Sequence, residues 1–356
     1  MDIQKELAKF KQTIDSELGR FLDAEIADAK KSDRYVAEAL SHTKNILLSG
    51  GKRVRGAMMY HGYLAAGGTK RLAAVRASMS IELVHLYLLM HDDVMDRDDR
   101  RHGVETIHAR YARRSGRAVS QEDALHFGNA MAISIGDMLA AYGGKCLFSS
   151  PFPSENIVLA LNRLQEIVSS TVIGQVKDIR MGFASGIADE EEVLAMYRLK
   201  TARYTLEGPL GLGATLAGGP EALVNSFSVY AIPLGVAYQL QDDILGIYGK
   251  NGETGKTTGS DLEEGKMTLL VAAAYARGNR EEKQGLEQLL GKPVTRASLA
   301  KSRRIFEKTG ALEYARELNA KLLREAMEAA RKIPSESMKA KEFFTSVISF
   351  LERRNV

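Results

Sequence analysis

Tryptophan is absent from this 356-residue chain, cysteine occurs once, and the first 150 residues contain no proline. The lone Cys146 excludes an internal disulfide bond and favours a reducing compartment. All seven prolines lie at or after Pro151, so nothing before that point must break a helix. No uninterrupted apolar run approaches the roughly 18 residues that span a bilayer, and the polar amino terminus is unlike a signal peptide. We therefore expect a cytoplasmic protein without a membrane span.

Neither sign of charge dominates the sequence. The 49 Lys and Arg residues and the 45 Asp and Glu residues leave a formal net charge of +4, which is small for this length. Charge alone therefore indicates neither a nucleic acid nor a membrane surface as a partner. With 45% hydrophobic and 26% charged residues, the composition is typical of a soluble globular protein with a large core.

Apolar residues recur at helical spacing along most of the chain, as in the stripe from Ile232 to Ile244. The stretches 81–90 and 131–139 are apolar nearly all round, which is typical of helices inside a large bundle. No stretch alternates β-branched residues between hairpin turns, and no linker clearly divides the chain. We predict an all-α fold in which residues 1–356 form a single large helical bundle.

An acidic motif follows the first of these apolar helices without a break, in the order His-Asp-Asp-Val-Met-Asp. Asp92 and Asp96 are four residues apart, so on a helix their carboxylates stand one turn apart on the same face. Like charges placed so repel each other and favour a cation between them. Oxygen ligands of this kind suit Mg²⁺ that is completed by water and by substrate phosphates. A solvated acidic helix end is the alternative for an isolated motif.

A second acidic motif favours the functional interpretation. Gln239, Asp242 and Asp243 end another apolar helix, and a segment rich in Gly, Thr and Lys follows at 255–266. If the two helix ends face each other across a bundle, they form a carboxylate-walled pocket for divalent ions and a polyphosphate. The Gly-Lys-Thr at 255–257 resembles the end of a nucleotide-binding P-loop, but Lys250 stands where that loop needs glycine and no strand precedes it.

Basic residues accompany both acidic motifs. The segment from Gly50 to Arg55 reads Gly-Gly-Lys-Arg-Val-Arg and combines flexible backbone with three cations, which suits an anion cradle. Arg101 follows the first aspartates closely enough to reach a phosphate held there. Taken alone, the Gly-Gly-Lys segment is also compatible with a basic surface turn, and Lys200-Thr201 by itself carries little information.

Taken together and in this order, Gly-Gly-Lys-x-x-Arg, Asp-Asp-x-x-Asp, Lys-Thr, Gln-x-x-Asp-Asp and Gly-Lys-x-x-Gly-x-Asp-Leu resemble the trans-isoprenyl diphosphate synthases, the farnesyl and geranylgeranyl diphosphate synthase family. The resemblance runs from about residue 49 to 270. It implies an isoprenoid synthase fold with a central active-site cavity, usually in a homodimer. It also implies Mg²⁺-dependent, head-to-tail condensation of isopentenyl diphosphate with an allylic diphosphate.

The resemblance also assigns roles to individual residues. It implies three Mg²⁺ ions, two on Asp92 and Asp96 and one on Asp242. Thr201 and Gln239 line the reacting carbon, with Gln175 and Asp178 nearby and Tyr238 adding its ring face. The resemblance further implies that the allylic diphosphate is bound by Arg101, Lys200, Lys256 and Lys266. Isopentenyl diphosphate is implied to be bound by Lys52, Arg55, His85 and His102.

Two positions depart from the family pattern. Gly246 stands where many members carry a third aspartate in the second acidic motif, although Asp242 is retained. His102 stands where the usual second arginine would contact isopentenyl diphosphate, and a neutral imidazole is a weaker anion partner than a guanidinium group.

Residues just before the first aspartate set product length in this family. Tyr87 lies five positions before Asp92 and Leu88 four, which resembles synthases that make the C20 product, geranylgeranyl diphosphate. On an ideal helix Leu88 shares the Asp92 face, whereas Tyr87 lies about 140° round, so the floor role of Tyr87 rests on the resemblance alone. Tyr87 packed in the core, and farnesyl diphosphate as the main product, are the alternatives.

Two other functions compete with this prediction. A class I terpene cyclase shares the all-α cavity and the first aspartate motif, but it normally has an Asn/Asp, Ser/Thr and Glu metal motif that residues 242–248 lack. A cyclase would also have no use for a second diphosphate cradle. A non-catalytic subunit of a heteromeric synthase would usually have lost the aspartates that are retained here.

Overall fold

The computed structural model describes residues 1–116, 119–183, 186–249 and 257–353, and most of them lie in helices, which confirms the all-α prediction. One short hairpin and one π-helical segment interrupt this pattern in the described residues, and neither was predicted from the sequence. The elements are α1 Ile3–Ser32, α2 Arg34–Ser49, α3 Val54–Ala65, α4 Arg71–Asp96, β1 Arg100–Arg101, β2 Val104–Glu105, α5 Ile107–Arg114, α6 Gln121–Phe148, α7 Ser154–Phe183, α8 Glu190–Tyr197, the π-helix Arg198–Glu207, α9 Gly208–Leu216, α10 Glu221–Tyr248, α11 Ser260–Glu263, α12 Leu269–Arg277, α13 Arg280–Glu287, α14 Arg296–Lys308, α15 Ala311–Lys332 and α16 Met338–Glu352.

The described chain divides into two compact units. The amino-terminal unit comprises Asp2–Asn162 and Leu212–Gly218. The carboxy-terminal unit comprises Met1, Arg163–Gly211 and Gly219–Val356. A single domain over residues 1–356 stays a prediction.

In the amino-terminal unit, α4 is the central helix and packs against α6, α3 and α1. Its middle, from Ser78 to Val84, is buried all round, whereas the rest of the predicted stretch 81–90 is partly half-buried. The prediction for 131–139 was wrong, because α6 buries only one side of this stretch and leaves Ile133 45% exposed. Gly143 of α6 lets the two helices approach closely, because a Cβ atom there would lie 2.8 Å from a methyl group of Val84. The helix ends at Asp96 and is capped by Arg97 in the left-handed conformation. The first acidic motif is therefore the carboxyl end of a rigidly packed helix.

In the carboxy-terminal unit, α10 packs against the π-helix and α15. Gly235 of α10 allows close contact, because a Cβ atom there would lie 2.4 Å from the Cα atom of Ala202 in the π-helix. Pro233 lies inside α10 without ending it, and Tyr230 and Leu240 are fully buried. The second acidic motif thus lies in the last three turns of another buried helix.

Three helices are long and apolar enough to cross a membrane by length and composition, namely α4, α7 and α10. This finding differs from the sequence expectation, because a window of 18 residues tolerates up to two charged side chains whereas an uninterrupted apolar run does not. In α4 and α10 more than half of the apolar window is buried inside the protein, at 61% and 56%, whereas in α7 only 33% is buried.

Candidate active site

The three aspartates of the first acidic motif face in two directions. Asp92 and Asp96 are half-buried, whereas Asp93 is buried and accepts a hydrogen bond of 2.9 Å from Arg101 Nε. Burial raises the pKa of Asp93, and the hydrogen bond and charge of Arg101 oppose that rise. Asp92 and Asp96 add negative charge to a helix carboxyl end, which already carries negative partial charge. This end of α4 therefore favours a cation, and its oxygen donors fit Mg²⁺.

Arg101 is presented by the hairpin that follows α4. The strands pair Arg100 with Glu105 and Arg101 with Val104, and His102 and Gly103 form the turn with φ values of 51° and 79°. Histidine is one of the residues that tolerate this left-handed conformation better than most. Arg101 also lies 3.6 Å from the Asp98 carboxylate. Arg101, which is predicted to bind the allylic diphosphate, is thus held beside the first acidic motif by the carboxylates of Asp93 and Asp98.

The three cations of the Gly-Gly-Lys segment have different surroundings. Lys52 is exposed, whereas Arg53 is buried and donates to Asp15 Oδ1 at 2.6 Å, with Glu82 Oε2 at 3.6 Å. Arg53, predicted only as one of three cations of an anion cradle, is instead paired with carboxylates and fixes the turn. Its carboxylate partners lie on α1 and α4, too far away in sequence for any local pattern to reveal them.

Arg55 and His85, both predicted to hold isopentenyl diphosphate, are neighbours in the structure. Arg55 Nη1 lies 3.1 Å from His85 Nε2. Burial and the charges of Arg55, Arg101 and Arg53 hold the pKa of His85 well below its ordinary value, so the ring is neutral and accepts the hydrogen bond. The position of one neutral imidazole among several guanidinium groups suits an anion.

His102 lies over the turn that starts the basic segment. A Cβ atom on Gly50 would be 2.4 Å from His102 Cγ, so glycine is required for the ring to lie there. The structure therefore brings together Arg55, His85, Arg101 and His102 within the amino-terminal unit. Lys52 belongs to the same basic segment and is exposed.

Tyr87 and Leu88 are both half-buried on α4. The Tyr87 ring packs edge-on against His91, with ring centroids 4.8 Å apart. It also lies next to α6, because a Cβ atom on Gly136 would be 3.6 Å from Tyr87 Cδ2. Tyr87 is thus placed between α4 and α6, and its role in chain length stays a prediction.

Lys200 and Thr201 lie on the π-helix rather than on an ordinary α-helix. Gly174 of α7 allows this segment to lie close, because a Cβ atom there would be 2.6 Å from the backbone nitrogen of Lys200. The Lys200 ammonium group donates to Asp178 Oδ2 at 2.6 Å. Short π-helical insertions occur frequently at functional sites. Half-buried Gln175 lies on the same stretch of α7.

A chain of hydrogen bonds continues from Thr201 into the core. Its hydroxyl group donates to Gln239 Oε1 at 2.8 Å, and Gln239 Nε2 donates to Asp243 Oδ1 at 2.9 Å. Tyr197 donates to the other Asp243 oxygen and accepts the Leu269 N–H at 2.8 Å. Burial, followed by the charge of Asp261, raises the pKa of Asp243, while its hydrogen bonds lower it. The chain fixes the orientation of the Gln239 amide. Tyr197 was not predicted as part of it, because a tyrosine that follows several apolar residues resembles any core residue.

The two aspartates of the second acidic motif also differ in burial. Asp243 is buried in this chain of hydrogen bonds, whereas Asp242 is half-buried, as is Tyr238 one turn earlier. A Cβ atom on Gly246 would lie 3.2 Å from Asp261 Oδ2. The Asp261 carboxylate therefore occupies space next to the position where a third aspartate would begin.

Two predicted lysines remain. Lys266 contacts the Glu264 carboxylate and is half-buried. Lys256 lies outside the described residues. Within those residues, no group of three or more His, Cys, Asp or Glu side chains lies close enough to hold a metal by itself. Mg²⁺ in proteins is usually held by one or two carboxylates together with water and substrate phosphates.

Comparison with known proteins identifies the family of this chain. The polyprenyl synthetase family model matches residues 36–308. Geranylgeranyl pyrophosphate synthase of Geoglobus acetivorans is 34% identical over 289 residues, which are 81% of this chain and 82% of the relative. Geranylfarnesyl diphosphate synthase of Aeropyrum pernix is 29% identical over 334 residues, which are 90% of this chain and 98% of the relative.

A solved structure agrees with this comparison over almost the whole chain. Geranylgeranyl pyrophosphate synthase from Corynebacterium glutamicum, complexed with isoprenyl diphosphate and magnesium, superimposes with a TM-score of 0.90 at 28% identity. The match covers 98% of this chain and 99% of the other. The fold is therefore the isoprenoid synthase fold. This chain belongs to the polyprenyl synthetase family and is a trans-prenyltransferase.

Proposed function

We propose that the chain condenses isopentenyl diphosphate head-to-tail with an allylic diphosphate and makes geranylgeranyl diphosphate as its main product. The observation that carries this proposal is the cationic cluster around neutral His85 in the amino-terminal unit. Arg55 Nη1 lies 3.1 Å from His85 Nε2, and the charges of Arg55 and Arg101 contribute to the lowered pKa of His85. A cyclase acts on one diphosphate and needs no such cluster in addition to its aspartates. A condensing enzyme needs a place for a second diphosphate group.

Asp92, Asp96 and Asp242 would hold Mg²⁺, three ions per active site in our proposal. When bound, Mg²⁺ acts as a Lewis acid that stabilises the diphosphate leaving group. The side chains of Arg101, Lys200, Lys256 and Lys266 would bind the same group and neutralise the charge that develops as the allylic C–O bond breaks. Among these, Lys200 is preorganised, because its hydrogen bond to Asp178 holds the ammonium group in one place.

Thr201 and Gln239 would stabilise the positive charge on the allylic carbon. Because the Thr201 hydroxyl donates its proton to Gln239 Oε1, its oxygen lone pairs remain available to face that charge. Isopentenyl diphosphate, oriented by Lys52, Arg55 and His85, would then attack through its double bond. The released diphosphate would take the final proton, so no protein general base is required.

Tyr87 would form the floor that stops chain growth, with Leu88 beside it. The relatives above are named for products of two lengths, geranylgeranyl and geranylfarnesyl diphosphate. The position of the Tyr87 ring beside α6 supports its role as a barrier, because replacement by a small side chain would leave a gap between α4 and α6.

We also propose that the protein is a cytoplasmic homodimer. Several large apolar side chains of α6 and α7 are exposed, including Phe148 at 75% and Phe183 at 90%. Exposed apolar surface of this kind usually marks an interface. A second copy of the chain is the occupant we propose, and sedimentation equilibrium of the purified protein without detergent tests it. A monomer under these conditions would contradict the proposal.

The test of function is incubation with Mg²⁺, isopentenyl diphosphate and farnesyl diphosphate, followed by chromatography of the products. We expect geranylgeranyl diphosphate, and we expect EDTA to abolish its formation. A released hydrocarbon would indicate a cyclase, and no turnover would indicate a non-catalytic subunit. Asp92→Asn should abolish turnover, whereas the exposed Asp99→Asn in the same segment is the matched control and should retain it.

A further inference from the structure

A cluster of charged side chains surrounds the Gly50–Gly51 turn at the start of the basic segment. His102 covers one side of this turn, because its ring lies against Gly50. Arg53 covers the other, because a Cβ atom on Gly51 would lie 3.1 Å from Arg53 Nη1. The usual arginine at position 102 is missing, so one permanent positive charge is lost from a site proposed to bind diphosphate.

Lys11 of α1 is joined to this cluster by a shared carboxylate. Asp15 Oδ1 accepts from Arg53 Nε at 2.6 Å, and Asp15 Oδ2 accepts from Lys11 Nζ. Asp15 therefore bridges a lysine of α1 and the arginine that fixes the turn. An ammonium group has three N–H donors, and Asp15 accepts one of them.

The positive charge of Lys11 also reaches His102. The pKa of His102 lies below its ordinary value, first because of burial and then because of the charges of Arg101, Arg53 and Lys11. The imidazole is therefore neutral near pH 7, and its neighbours supply the positive charge. All four side chains belong to the amino-terminal unit.

We propose that Lys11 is a further substrate-binding residue, which supplies beside His102 the positive charge that a second arginine usually supplies for the diphosphate of isopentenyl diphosphate. This inference rests on the proposed function. Asp15 keeps Arg53 as a partner when Lys11 turns one of its donors toward a phosphate oxygen. Charge-assisted hydrogen bonds to phosphate are stronger than neutral ones, so the contribution should be measurable.

The test measures binding and turnover separately. In Lys11→Met, calorimetry should show isopentenyl diphosphate bound about tenfold more weakly, as expected for the loss of one hydrogen bond to a charged group. The KM for isopentenyl diphosphate should rise by a similar factor, while the KM for farnesyl diphosphate and the melting temperature stay unchanged. Lys11→Arg should retain tight binding, and exposed Lys9→Met on the same helix is the matched control.

A double variant identifies the role of the charge. Lys11→Met combined with His102→Arg should recover the affinity that Lys11→Met loses, because the arginine restores the missing charge. Unchanged affinity in Lys11→Met would overturn the proposal, as would equal losses for both substrates accompanied by a lower melting temperature. If the native protein binds isopentenyl diphosphate but does not elongate farnesyl diphosphate, the proposed function fails, while the calorimetric comparison still tests Lys11.

Discussion

The hydroxyl group of Tyr197 donates a hydrogen bond to the Asp243 carboxylate, so one of two adjacent aspartates is committed to the core. The same hydroxyl oxygen accepts the Leu269 N–H. Adjacent carboxylates near the end of α10 therefore have different surroundings, and our proposal gives only Asp242 a role in metal binding.

Tyr197→Phe should destabilise the protein. The substitution leaves a buried backbone N–H without its acceptor and removes one donor from a buried carboxylate, which together should cost about 2–4 kcal/mol. Urea unfolding of the two proteins measures this loss. Exposed Tyr35→Phe provides a matched control, and an equal effect of both substitutions would show that the buried hydrogen bonds contribute nothing specific.

Gly174→Ala should lower kcat by at least about tenfold. The new methyl group would lie 2.6 Å from the Lys200 backbone nitrogen, so the π-helix must shift and carry Lys200 and Thr201 with it. A shift of this size is enough to misplace catalytic groups. Gly182→Ala on the same helix meets no atom within 4 Å and should keep native kcat. Steady-state assays of both variants distinguish positioning from a general effect of alanine in α7.

Gly246→Asp should destabilise the protein in the absence of Mg²⁺, although it restores the commoner motif. The new side chain would begin 3.2 Å from the Asp261 carboxylate, so two like charges would meet. We expect a lower melting temperature in the absence of Mg²⁺ and a smaller deficit when Mg²⁺ and inorganic diphosphate are added. Thermal melts with and without these ligands test this, and Gly246→Asn, which has similar size without charge, is the control. A higher melting temperature without Mg²⁺ would contradict the prediction.

Tyr87→Ala should lengthen the products. Removing the ring opens space between α4 and α6, so chains longer than C20 should appear by chromatography. His91→Ala is a useful comparison, because it removes the partner of the Tyr87 ring while leaving the ring itself. Identical products from Tyr87→Ala and the native enzyme would remove Tyr87 from this role.

The stability of the protein should fall in acid partly because of His85. The pKa of this buried imidazole is well below its ordinary value of 6.5, so the unfolded chain binds a proton that the native state does not. Below pH 6.5 the free energy of unfolding therefore decreases, and above it this contribution is constant. His85→Gln should weaken the decrease in urea unfolding measured between pH 7.5 and 5.0. An unaltered decrease would show that His85 is not responsible.

The fold class could be predicted from sequence for physical reasons, whereas the roles of the site residues stay predictions. The all-round apolar stretches and the absence of early prolines are local signals, and they correctly indicated helices. All-round burial was right for the first part of the stretch 81–90 but wrong for 131–139, where Ile133 is 45% exposed. The pairing of Arg55 with His85 agrees with the shared role that the family resemblance gave them. Helical spacing was sufficient to predict the helices, and the order of the motifs was sufficient to predict the family.

The parts that could not be predicted depend on contacts between distant segments. Asp15 and Arg53 are 38 residues apart, and nothing near either one in sequence indicates their pairing. Tyr197 resembles a core residue until the structure shows its hydroxyl group against Asp243. The hairpin is only two residues per strand, too short for alternation to reveal it.

The π-helix has one further consequence for how this enzyme tolerates change. A π-turn holds more residues than an α-turn, so it offsets every following residue by about 100° from the α-helical register. Deleting one residue between Arg198 and Glu207 would relax the segment to an α-helix and rotate what lies beyond the deletion, without altering any motif letter. The direction in which Lys200 and Thr201 point thus depends on the number of residues in this segment. Single substitutions do not change that number, whereas the deletion of one codon does.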